Sequence, residues 1–358
     1  MKQSSIKQLK KLSELNAISG MENEVAHFLM AQYESMGFSI LKDNLGSIFA
    51  VKKSSHDKPF KVLILGHMDE VGFLTIDVQS NGMIKVIPIG GLNEVNLQSQ
   101  RVRLKTKQGT YLQGSIDSTP PHLLKGHSPT IDVDDLLFDF GFSSKLEALQ
   151  AGVYIGAMIT FDAPFIQLQG GKRFLGKAFD NRYSLSMGLD ILKAVQSKAL
   201  PFDLYVGASV QEEVGLRGAQ TAAQLIQPDF AFVLDCSPAR DSSGNPSELG
   251  QLGGGVLLRF IDRSMIASPV LLDYQESIAK KLKVPCQYYE SPGGTDAGAV
   301  HKSLDGVLTL THCITARSIH SSSTIMDASD YDAAFKTLLY MIKHLNHDQL
   351  AKFKKGYR

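Results

Sequence analysis

The sequence predicts an α/β protein with a mostly parallel sheet and a small β-rich domain inserted into it. Three observations lead there. Residues 61–65, 204–210 and 230–234 are short, predominantly apolar runs, broken only by Lys61, Gly207 and Ser209, the pattern of strands buried on both faces. Residues 181–195 and 332–345 carry apolar side chains at helical spacing, so strands and helices alternate at both ends of the chain. Between about residues 71 and 161 the pattern changes to short strands split by turns.

Taken in order, Ser19-Gly20-Met21-Glu22 has the form of a capping box. The helix it would open places Val25, Phe28, Leu29, Tyr33 and Met36 on one face, and Gly37 stands where a C-terminal cap belongs. The apolar run at 61–65 follows. In the middle segment, strands are expected at 83–88, 101–106 and 111–116, with turns at Gly82, Gly90-Gly91 and Gln108-Gly109. One helix interrupts them, capped by Ser144 with Glu147 three residues on and closed near Gly152. Residues of metal-binding type lie on both sides of this segment, so it reads as an insertion. The expected domains are 1–70 plus 162–358 and, within them, 71–161.

Bulk properties exclude several classes. With 358 residues and 43% hydrophobic content, the chain is long enough for two domains with full cores. A net charge of +1 gives no reason to expect a nucleic-acid or membrane-surface partner. Lys352, Lys354, Lys355 and Arg358 read as a solvated helix end. The first residues are polar and amphipathic, and no run of 18 apolar residues exists, so neither a signal peptide nor a membrane span is expected. Cys236, Cys286 and Cys313 are odd in number and far apart. They point to buried thiols in a reducing, cytoplasmic compartment rather than to a disulfide framework or thiolate ligation.

Five short motifs carry candidate chemistry. His67 and Asp69 lie in Gly66-His67-Met68-Asp69-Glu70, directly after a buried strand, where α/β sheets bind ligands. Asp69 is close enough to take the other ring proton of a ligating His67. Asp180, in Ala178-Phe179-Asp180-Asn181-Arg182, precedes a helix, a position where Asp is also a common N-cap. Glu212 and Glu213 follow the run at 204–210. Neighbouring side chains on extended backbone diverge, which suits one as ligand and one as base. Asp235 ends the run at 230–234, and His320 lies in a polar loop. No single motif is decisive, but three buried strands each ending in His or an acid are improbable as packing. Five N/O ligands without a thiolate fit zinc, cobalt or manganese. They suit two divalent ions sharing a bridging carboxylate, a pair able to polarise a carbonyl and acidify a water.

With Gly293-Gly294-Thr295-Asp296-Ala297 and Ile319-His320-Ser321 added, these motifs resemble the tetrahedral aminopeptidase family along essentially the whole chain. These co-catalytic metallopeptidases also go by glutamyl aminopeptidase, deblocking aminopeptidase or endoglucanase-M-like names. The resemblance implies a zinc-peptidase catalytic domain and two divalent metal ions per subunit. It implies His67 and Asp235 on one ion, Glu213 and His320 on the other, and Asp180 between them. Glu212 would be the general base, Asp69 would support His67, and a cis peptide would follow Asp180. Many relatives carry a proline soon after the last histidine, where this chain has Ser321-Ser322. Gly293-Gly294 would wall the substrate pocket ahead of a helix starting at Asp296. His301 and His312 are expected to be structural.

The expected function is removal of N-terminal residues from short peptides with a free N-terminus. Glu212 would take a proton from the attacking water and pass it to the leaving amine. Three alternatives are a metal-dependent deacylase of amino-acid derivatives, an endoglucanase and a metal-bound scaffold. An endoglucanase needs two carboxyls facing across a sugar cleft, and the absence of tryptophan weakens that reading. An intact Glu212 beside five ligands speaks against the scaffold. The inserted domain is expected to mediate self-assembly into a dimer-based homo-oligomer, by resemblance a hollow tetrahedral complex.

Overall fold

The three apolar runs become neighbouring parallel strands. In the computed structural model, which describes residues 1–120, 122 and 136–356, Phe60–His67 pairs in parallel with Phe202–Ser209 on one side and Phe230–Val233 on the other. Leu308–Thr311 extends the sheet in parallel, while Ser39–Lys42 and Ile48–Lys52 close the opposite edge antiparallel. The central strands are buried on both faces, which is why they read as predominantly apolar runs. The register sets Ser209 opposite His67 and Val233 opposite Leu65, so the carboxyl ends of three strands lie side by side.

The helix expected at 181–195 spans Phe179–Val195 and packs between the sheet and the N-terminal helix Gln3–Glu14. It approaches closely because residue 66 is glycine. A Cβ there would lie 2.0 Å from Ser184 Oγ. Its first turn is not helical: Asp180 and Asn181 have φ/ψ of −79/102° and −123/35°, and the bond between them is cis. A second sheet runs Ile166–Gln167, Arg173–Gly176, Thr324–Asp327, Ile314–Arg317, Cys236–Pro238. It supplies the strand leading towards Asp180 and the antiparallel hairpin whose tip carries His320.

The segment between the metal-type motifs forms a closed barrel of Gly72–Val78, Ile84–Ile89, Leu137–Asp139, Tyr111–Ile116, Arg101–Lys105 and Met158–Phe161, in that order around the wall. Its own core includes Phe73, Phe138 and Phe161, packed edge to face. Closure leaves no sheet edge exposed. The helix Lys145–Gln150 is capped by Ser144, which accepts from the Glu147 amide.

Two expectations need correction. Ser19-Gly20-Met21-Glu22 is not a capping box: the helix runs Asn23–Ser35 with no side-chain cap bond. Ser19 Oγ instead donates to Asp69 Oδ2 at 2.6 Å, and Glu22 Oε1 accepts from the Gly20 and Gln211 amides. A buried carboxylate competes better for that hydroxyl than a helix end does. The last long helix is Ala328–His344, starting four residues earlier than its apolar pattern suggested because Asp327 caps it. Helix His347–Gly356 bears the exposed lysines of the basic tail, while Arg358 lies outside the described residues. Among the described residues, no helix is long and apolar enough to cross a membrane.

Candidate metal centre

Five elements deliver side chains to one place above the parallel strands. His67 ends its strand and is buried. Asp180 reaches it from the irregular helix start, Asp235 from just beyond Phe230–Val233, and His320 from the hairpin tip. Glu212 and Glu213 follow Phe202–Ser209. Asp180 lies between the two imidazoles: its Oδ1 is 3.2 Å from His67 Nε2 and its Oδ2 is 3.3 Å from His320 Nε2. Asp235 Oδ1 is 3.7 Å from His67 Nε2, and Glu213 Oε1 is 3.3 Å from His320 Nε2. Glu212 Oε2 stands further off, 3.9 Å from His67 Nε2.

The adjacent glutamates diverge for a reason other than the expected strand pleat. Gln211 has φ 55°, which ends the extended backbone, and Glu212 enters a turn whose carbonyl accepts from the Gly215 and Leu216 amides. Asp69 holds that turn. Its carboxylate accepts from the Glu212 amide at 3.0 Å and the Glu213 amide at 3.1 Å. Its relation to His67 also differs in detail from expectation. His67 Nδ1 is 3.1 Å from the Asp69 backbone carbonyl and 3.5 Å from the carboxylate. The carbonyl is thus the nearer acceptor, and the carboxylate is occupied with Ser19 and the turn.

This density of charge calls for cations. Burial opposes protonation of His320, yet Glu213 and Asp180 lift it to about 11. Burial likewise opposes a charged His67, and Glu212, Asp180 and Asp235 outweigh it and raise it well above its ordinary value. Glu212 is pushed well up, chiefly by burial; His67 opposes this, while Asp235 and Asp296 add to it. Buried carboxylates crowded in this way need positive charge among them. Three sets of donors converge within 4.8 Å: His67, Asp180 and Asp235; Asp180, Glu213 and His320; His67, Glu212 and Glu213. Nitrogen and oxygen donors at this spacing fit divalent metal. Burial pushes the Cys236 thiol well up and the Cys313 thiol up to about 12, and neither sulfur belongs to these donor sets.

The donors line a cleft of about 740 Å³, within the range of small-ligand sites. Gly293 and Gly294 form part of its wall, and the helix Asp296–Val300 follows. Sequence reasoning missed several residues here. Gly91, from the barrel, places its carbonyl 2.7 Å from His320 Nδ1. Arg259 is buried in the outer wall, its guanidinium on Ser237 Oγ and the Gly293 carbonyl. Asp296 is buried on Ser209 Oγ, and only its place in the Gly293-to-Ala297 motif hinted at the site. Gly90-Gly91 signalled only a turn and Arg259 carries no spacing signal, so neither pointed to the site. His312 is structural, held by Gln275 Nε2 at 3.0 Å and the Ala334 carbonyl at 2.8 Å.

Comparison with known proteins places this geometry. Residues 46–337 match the M42 glutamyl aminopeptidase family. The chain is 38% identical to a glutamyl aminopeptidase of Lactococcus lactis subsp. cremoris, over 97% of this chain and 98% of that one. The crystal structure of a TET aminopeptidase from a marine sediment archaeon, Thaumarchaeota archaeon SCGC AB-539-E09, superposes with a TM-score of 0.93. It is 33% identical, with 98% of this chain and 99% of that chain covered. A Pyrococcus horikoshii TET1 peptidase described as assembling into a tetrahedron or a large octahedral shell gives a TM-score of 0.86 at 28% identity, covering 95% and 100% of the chains.

Proposed function

The chain belongs to the M42 glutamyl aminopeptidase family, is a metallo-aminopeptidase that removes N-terminal residues, and from that premise we propose how its residues divide the work. His67 and Asp235 would hold one divalent ion and Glu213 and His320 a second, with Asp180 shared between the two sites. The observation that carries this reading is the placement of Asp180, with one carboxylate oxygen facing each imidazole. Zinc is the first choice, with cobalt or manganese as alternatives.

When bound, such ions polarise a scissile carbonyl and make a nearby water more acidic. Glu212, whose Oε2 lies 3.9 Å from His67 Nε2, takes the proton of the attacking water and returns it to the leaving amine. Asp69 fixes the Glu212–Glu213 turn, so that the base and the ligand beside it keep their separate directions. The acid-lined end of the cleft receives the free N-terminal amine of a short peptide. Arg259 is ion-paired with Asp262 at 3.1 Å, which leaves Arg263 to supply cationic charge in the outer wall. This favours an acidic N-terminal side chain, in keeping with the name of the Lactococcus lactis relative.

The domain division at residues 71–161 carries an assembly role. The barrel segment exposes the large apolar side chains Ile76, Ile87, Val95, Leu146, Leu149 and Ile155, which association would bury. A second copy of the chain is the expected occupant, in a dimer-based homo-oligomer like the shells of the Pyrococcus horikoshii relative. Three unpaired cysteines suit a reducing, cytoplasmic setting.

The test is a chelator-stripped enzyme reloaded with zinc, cobalt or manganese and assayed on free, N-acetylated and differently N-terminated peptides. Activity should disappear and return with metal, fail on acetylated peptides and be highest with Glu or Asp first. Full activity in a sample shown by elemental analysis to be metal-free would overturn the reading.

A further inference from the structure

We propose that Gly90, Gly91 and Gln100 of the inserted barrel are positioning residues for the His320/Glu213 half of the metal centre. That half is completed by the barrel, whereas the His67/Asp235 half stands on the surrounding α/β framework. The inference rests on the ligand division proposed above.

His320 sits on a strained hairpin tip, with φ 58° at His320 and 53° at Ser318. Its Nδ1 lies 2.7 Å from the Gly91 carbonyl, an acceptor that sets the proton on Nδ1 and leaves Nε2 facing Asp180 and Glu213. The preceding residue, Gly90, has φ +81°, and a Cβ there would lie 2.7 Å from Val71 Cγ1 and 3.2 Å from Glu213 Cβ. One loop therefore packs against both side chains of this half. A second tie joins the barrel to the same hairpin, because Ser322 Oγ donates to Gln100 Oε1 at 2.7 Å. Among the described residues the other half shows no such tie: His67 Nδ1 contacts the Asp69 carbonyl, and Asp235 Oδ1 accepts from the Cys236 amide at 2.7 Å.

The experiment is calorimetric titration of the chelator-stripped full chain with zinc alone. Wild type should show two binding events, the second identified as the one lost in His320→Ala. Gly90→Ala should weaken that event by about 10–100-fold, the range for groups that orient a ligand, and leave the first unchanged. Gln100→Ala should weaken the same event less, and Gln100→Glu, which keeps the acceptor, should restore it. No change in Gly90→Ala, or equal weakening of both events, overturns the proposal. Should Gly90→Ala not fold, Gln100→Ala decides by the same criterion. Fewer than two events in wild type would instead refute the ligand division itself.

Discussion

Replacing Glu212 by Gln tests the division of labour most directly. The substitution keeps size and hydrogen-bonding capacity and removes only the proton acceptor. The turn should persist, because Asp69 holds it through the Glu212 and Glu213 backbone amides, which the change does not touch. Glu212 also stands furthest from His67 Nε2 of the acids around it, at 3.9 Å against 3.2 Å for Asp180 and 3.7 Å for Asp235. Metal content should therefore stay at the wild-type level. A general base contributes about 10²–10⁴-fold, equivalent to about 3–5 kcal/mol in the barrier, and turnover should fall by at least the lower figure. Glu213→Gln should behave differently. Its Oε1 is 3.3 Å from His320 Nε2, so losing its charge weakens one ion, and activity should partly recover in excess metal. The assay is elemental analysis of dialysed protein beside steady-state turnover on an aminoacyl chromogenic amide. If Glu212→Gln lost an ion while Glu213→Gln kept both, the two roles would be the reverse of those assigned.

Three further outcomes are expected. Asp69→Ala removes the acceptor for Ser19 Oγ and for both turn amides, so kcat should drop by about 10–100-fold; wild-type kcat would show that the turn holds itself. His312 is kept neutral by burial, its titration pushed down to about 4 from an ordinary 6.5. The unfolded chain therefore binds a proton that the folded chain refuses between those values, so this contribution is complete above pH 6.5 and is lost as pH falls towards 4. At about 1.4 kcal/mol per pH unit, wild type should lose about 2–3 kcal/mol more stability than His312→Gln between pH 7 and 4.5; parallel urea-melt shifts would refute this. Light scattering at micromolar concentration should give a mass well above the 39.1 kDa of one chain, and a monomer would contradict the assembly role of the barrel.

Much of the fold could be read from hydrophobic pattern because burial on two faces leaves a plain mark. Residues 61–65, 204–210 and 230–234 are predominantly apolar for the same reason that they lie at the centre of the sheet. His67, Glu212, Glu213 and Asp235 stood out because they interrupt those runs where the strands end. What the pattern could not carry is contact across the chain. Ser19 looks like a helix cap until Asp69 is brought beside it. Nothing local in Gly90-Gly91 announces that a barrel loop leans on His320, 229 residues away. Residue type and period alone carried the fold class, the inserted domain and the candidate acids and imidazoles. Only the tertiary structure decided which oxygen of Asp180 faces which imidazole, which carbonyl orients His320 and what the Asp69 carboxylate holds. Those are distances between segments remote in sequence, set by strand register and by the close approach of helix to sheet that Gly66 permits.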